Sequence, residues 1–115
     1  MSEVDFSAIN HYKAMWLYAL FDLPTETKKQ RKNAALFRKG LLQDGFTMFQ
    51  FSVYIRHCAS RENAEVHIRR VRAMTPEEGR VAIIAVTDRQ FDQMVILYGA
   101  KEKPPPPAPL QLELF

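Results

Sequence analysis

Apolar residues along this chain arrive in two rhythms, and the switches between them lay out a succession of elements. Residues 14–21 read AMWLYALF, an eight-residue apolar run rich in aromatics that stops at Asp22-Leu23-Pro24. A run this short suits a strand better than a helix. Thr25 or Thr27 offers a cap for a following helix that reaches about Leu42 or Asp44, where Gly45 supplies the stop. On a wheel of about 100° per residue, Ala34, Phe37 and Leu41 share one side of it while Lys28, Arg31, Lys32 and Lys39 gather on the other. Residues 46–57 (FTMFQFSVYIRH) then alternate, with Phe49, Phe51, Val53 and Ile55 set against Met48, Gln50, Ser52, Tyr54 and Arg56. This predicts two short strands or one bent one. Residues 60–74 open on a Ser cap and place Ala64, His67, Ile68 and Val71 at helical spacing, with Arg69, Arg70 and Arg72 elsewhere on the surface. A turn at Pro76 to Gly79, a β-branched strand at Arg80 to Thr87, a turn over 88–93 and a short strand MVILY complete the series.

The order β-α-β-β-α-β with one further strand predicts an α+β, ferredoxin-like domain with an extra C-terminal strand. In that architecture both helices cover one face of an antiparallel sheet. The first and fourth strands are nevertheless apolar on both faces: Met15, Leu17, Ala19 and Phe21 against Trp16, Tyr18 and Leu20, and Val81, Ile83 and Ala85 against Ala82, Ile84 and Val86. An apolar patch of this size is rarely left open. A sheet-to-sheet homodimer is the expected cover, with the fifth strand pairing across it. After Gly99 the composition changes to KEKPPPPAPLQLELF, in which four consecutive prolines and Pro109 enforce an extended, non-packing spacer. The expected division is an extension over 1–13, a domain over 14–99 and a proline-rich tail over 100–115.

Composition narrows the class. With 115 residues there is room for one domain, and 47% hydrophobic with 25% charged residues excludes wholesale disorder. The single cysteine, Cys58, closes no intramolecular disulfide, and His11, His57 and His67 do not stand at zinc-finger spacing. His57, Cys58 and His67 are expected to be structural, without convergent partners. No apolar run reaches about 18 residues, and the N-terminus carries Glu3 and Asp5 instead of a basic leader, so a reducing, cytoplasmic setting without a membrane partner is expected. Net charge is only +3, but residues 25–40 hold six cations (Lys28, Lys29, Arg31, Lys32, Arg38, Lys39) against Glu26 alone. Such a stripe neutralises phosphates without reading bases, although a merely solvated helix face has the same composition. Arg69 and Arg70 form a weaker second candidate, partly offset by Glu62 and Glu65.

Phe21-Asp22-Leu23-Pro24 at the end of the first strand, a Lys/Arg-rich helix closed by Gly45, the Gln-x-Ser-Val-Tyr strand of Gln50 to Tyr54, a second helix and a late apolar strand together resemble CRISPR-associated protein 2. The resemblance covers about residues 14 to 98. It implies a ferredoxin-like homodimer that bridges copies of the CRISPR integrase (CRISPR-associated protein 1) and holds a short spacer-precursor DNA duplex without sequence preference. Members have also been described as metal-dependent endonucleases. On that alternative Asp22, brought near the dimer dyad, is the catalytic and metal-binding residue for Mg²⁺, with Mn²⁺ as a substitute. One acid per chain suits a weak or vestigial nuclease better than an efficient two-metal site, since Asp44 and Asp88 are not expected to converge on it. Gln50, Ser52 and Tyr54 are expected to line the dimer groove. An RNA-recognition module shares the strand order, but its Lys/Arg-Gly-aromatic-Gly/Ala-Phe pattern is absent.

At the end of the tail, Leu110, Leu112 and Leu114 alternate as a strand that could be added to the integrase. The same residues belong to Gln111-Leu112-Glu113-Leu114-Phe115, similar to the short peptide by which bacterial polymerases and repair proteins grip the replication sliding clamp. There Gln111 would form hydrogen bonds while Leu114 and Phe115 fill apolar pockets.

Overall fold

A computed structural model describes residues 13–107 of the chain. The expectations for residues 1–12 and for the terminal peptide 108–115 lie outside the described residues. Elements follow in the order β1 (Met15–Asp22), α1 (Lys28–Gln43), β2 (Thr47–Gln50), β3 (Val53–Cys58), α2 (Arg61–Met74), β4 (Arg80–Thr87), α3 (Asp88–Asp92), β5 (Ile96–Tyr98) and β6 (Lys101–Lys103). Four strands form an antiparallel sheet in the order β2-β3-β1-β4, the ferredoxin-like arrangement.

Local chemistry accounts for the helix ends. Thr27, not Thr25, caps α1: its hydroxyl accepts the Gln30 amide at 3.0 Å, and the Gln30 side chain returns to accept the Thr27 amide at 2.9 Å. Gly45, at φ +91°, ends the same helix in a conformation that favours glycine. Ser60 caps α2 by accepting the Asn63 amide.

The helices bury Phe37, Leu41, Ala64 and Val71 in one cluster with Met15, Leu17, Ala19 and Phe21 of β1, and Ala34 of α1 is buried as well. Tyr54 and Cys58 complete that layer from β3. On the opposite face, Trp16, Ile55 and Phe91 form a second cluster flanked by Tyr18, Phe49 and Val86. Phe91 belongs to α3, where the residue pattern predicts a turn. A capping box between Thr87 and Gln90 starts this five-residue helix, and Phe91 then stacks on Trp16 at 3.8 Å with the rings 5° from parallel. The second face is therefore covered at its Trp16 end by the chain itself. Its other half, with Ile84 49% exposed and Asp22 exposed, stays open.

The C-terminal part also departs from expectation. β5 pairs antiparallel with β6, so a hairpin occupies Lys101–Lys103, which composition assigns to the tail. Pro105 and Pro106 are half-buried, and Pro106 lines a groove of about 550 Å³ with Trp16, Phe49, His57 and Tyr98. The first prolines thus pack against the domain instead of standing clear of it.

Candidate functional site

The α1 row is built from helix periodicity. With Ala34, Phe37 and Leu41 buried, Lys28, Lys32 and Lys39 fall on the outermost line and are exposed, and Lys28 to Lys39 spans about 16 Å at 1.5 Å per residue. Arg31 is exposed but bends back, its Nη1 donating to the carbonyl oxygens of Thr25 and Glu26 at 3.0 Å each. Arg38 is half-buried, with its guanidinium carbon 6.0 Å from the Phe51 ring centroid. The first turn contains no acid, so Lys28 and Lys29 stand at the positive end of the helix dipole with no acidic residue of that turn to offset them. Of the second candidate patch, Arg69 is exposed, whereas Arg70 donates to Asp44 Oδ1 at 2.9 Å and is committed within the fold.

Asp22 closes β1 on the open half of the second face, exposed and opposite Arg80. Two contacts place it. The Phe21 amide donates to the Ser52 carbonyl at 3.0 Å, and Gly79, at φ +97°, lies so close that an added Cβ would come 2.7 Å from the Asp22 carbonyl oxygen. Ser52 is itself left-handed at φ 67°, which a non-glycine residue adopts at some cost.

Among the described residues no group of three or more His, Cys, Asp and Glu is placed to hold a metal ion. Asp44, the C-cap of α1, has a buried side chain that accepts from His67 Nδ1 at 2.7 Å and from Arg70. Asp88 accepts from His57 Nε2 at 3.2 Å, beyond the end of β4 remote from Asp22. Among the described residues Asp22 thus belongs to no cluster large enough to form a cation cage within one chain.

These contacts revise two expectations. His57 and His67 each have an acidic partner, invisible in sequence because the partners lie 31 and 23 residues away. With Nε2 donating, His57 leaves only a buried Nδ1 lone pair unpartnered. Tyr54 does not line an open groove with Gln50 and Ser52. Its register opposite Ala19 turns it to the helix side, where it is buried 5.5 Å from the Phe21 ring, while Gln50 is exposed and Ser52 half-buried. Sequence reasoning also passes over Phe51, 81% exposed, because its apolar character groups it with the strand residues. No helix among the described residues is long and apolar enough to cross a membrane.

The family model for CRISPR associated protein Cas2 matches residues 15–94. The chain is 51% identical over 115 residues to the CRISPR-associated endoribonuclease Cas2 of Flavobacterium psychrophilum, covering the whole of both chains. It is 54% identical over 101 residues to the protein of that name from Parvibaculum lavamentivorans, covering 88% of this chain and all of the relative. A third, from Paracidovorax avenae, is 41% identical over 104 residues, 90% of this chain and 96% of that one. With the strand order and the β1 and β3 signatures in place, this chain belongs to the CRISPR associated protein Cas2 family.

Proposed function

We propose that the chain is a cytoplasmic CRISPR adaptation subunit, a homodimer that bridges integrase subunits and holds spacer-precursor duplex DNA by its phosphates. The observation that carries this reading is the placement of Lys28 and Lys29 in the first turn of α1, where they oppose the helix dipole. Charge that works against its own helix is poorly explained by solvation and well explained by a polyanionic ligand. Lysines point at phosphates without reading base edges, which suits arbitrary spacer sequence. Neutralising Lys28, Arg31, Lys32 and Lys39 together should flatten the salt dependence of duplex binding, at about 0.9 in the logarithmic slope for each phosphate no longer neutralised. An unchanged slope would return the row to simple solvation.

A second reading rests on Asp22. Its exposure on the open half of the sheet lets two apposed chains contribute one carboxylate each to a shared Mg²⁺ or Mn²⁺, and relatives carry the name endoribonuclease. Asp22→Ala separates the two. Retained spacer acquisition with loss of any cleavage supports the assembly subunit, and joint loss with dimer and complex intact supports the nuclease.

The terminal peptide Leu110 to Phe115 serves, on this proposal, as a tethered ligand for the integrase, with the sliding clamp as competitor. Affinities of a 107–115 peptide for each, with Leu114→Ala and Phe115→Ala as controls, distinguish them.

A further inference from the structure

The groove of about 550 Å³ at the Trp16 end of the second sheet face serves neither the α1 row nor Asp22. One wall is the sheet itself: Trp16 stands opposite His57, Thr47 opposite Ile55, and Phe49 packs against the same cluster. The other wall includes Tyr98 of β5, which is left 62% exposed. β2 is the outer strand here, so one side of its backbone has no strand partner within the sheet. The groove also lies apart from the half of the sheet assigned to the dimer, because Trp16 and Asp22 stand six residues apart on β1, about 20 Å along a strand.

The path of the chain points to the occupant. Pro104, Pro106 and Pro107 line the same groove, so the proline segment leads into it instead of holding the terminus away. Eight residues follow Pro107 and can extend about 26 Å, against about 13 Å for the four residues of β2. Among them Leu110, Leu112 and Leu114 alternate with Gln111 and Glu113, which gives an extended peptide one apolar edge for an apolar wall and one polar edge for solvent. We propose that the groove is the berth of the chain's own terminal peptide, Leu110 to Phe115, docked in cis along β2 with its leucines against Phe49 and Tyr98. One peptide cannot lie in two sites, so docking withholds the tail from any other partner. The docking itself does not depend on which partner takes the tail.

The test is nuclear magnetic resonance on the full chain with labelled leucine methyls. Nuclear Overhauser contacts from Leu112 and Leu114 to the rings of Phe49 and Tyr98 should appear within one chain and be absent between differently labelled chains mixed together. Thr47→Glu, at an exposed position on the groove wall, should erase them, and so should Leu112→Asp combined with Leu114→Asp, with the amide signals of the sheet retained. A free 107–115 peptide should bind the Leu112→Asp, Leu114→Asp chain roughly 10-fold more tightly than the wild type, whose tethered peptide competes at a local concentration on the order of mM. Contacts seen only between differently labelled chains assign the groove to a second copy's tail and overturn docking in cis. Absence of the contacts, or equal affinity of the two chains for the free peptide, overturns the berth altogether.

Discussion

Gly79 shows how much of the Asp22 neighbourhood depends on a missing side chain. Its φ of +97° is strained for any L residue, and a Cβ would meet the Asp22 carbonyl at 2.7 Å and Leu23 Cδ2 at 2.8 Å. Gly79→Ala should therefore cost about 1–2 kcal/mol in urea denaturation and disturb Asp22-dependent readouts while sparing the α1 salt slope. Cys58 carries a different consequence of position. It is fully buried in the helix-face core, and burial pushes its thiol up from the ordinary range. The folded chain keeps this proton where the unfolded chain releases it, so stability falls as pH rises past about 8.5, the ordinary thiol value, by at most about 1.4 kcal/mol per pH unit. Comparing urea midpoints of wild type and Cys58→Ala across alkaline pH should show that part of the slope vanish, and thiol reagents should react only on unfolding.

At the scale of elements, α1 is a helix whose stability and proposed task pull apart. Thr27 and Gln30 satisfy its N-terminal amides, yet its first turn is basic and its last turn contains no cation. Its C-cap, Asp44, adds a carboxylate at the negative end, offset by His67 and Arg70 from α2. Lys28→Glu should accordingly act in opposite directions on two measurements. Denaturation should show a gain of about 0.3–1 kcal/mol from the improved charge-dipole interaction. Duplex binding should weaken, most at low salt. A drop in stability, or unaltered binding, would detach the row from the function proposed for it.

For the whole molecule the open half of the second sheet face sets the expectation. α3 covers only the Trp16 end, leaving Ile84 49% exposed, and Leu97 in β5 is 61% exposed. Neither side chain is needed to bury the core of one chain. If the proposed dimer forms, the wild type should sediment at twice the chain mass of 13.3 kDa, and Ile84→Asp combined with Leu97→Asp should yield a folded monomer with its circular dichroism retained. A monomeric wild type would remove both the dimer and any Asp22 site shared across it.

Periodicity and capping are local, which is why the order of the four sheet strands and two long helices, the buried triplet Ala34, Phe37 and Leu41, the cap at Thr25 or Thr27 and the stop at Gly45 can be approached from the residues alone. The Phe21 to Pro24 and Gln50 to Tyr54 signatures carry the family for the same reason. Five-residue α3 is too short to show a helical period, so its existence awaits the stacking of Phe91 on Trp16. Where both faces of a strand are apolar, alternation sorts residues into two sets without saying which set meets the helices. The β1–β3 register settles that, and with it the burial of Tyr54. The partners of His57, His67 and Arg70, and the tied turn under Phe51, are long-range as well. Sequence determined the four sheet strands and the two long helices because their periods and caps rest on interactions within a few residues; α3, the β5–β6 hairpin and which side chains meet between elements were decided only when packing brought distant segments together.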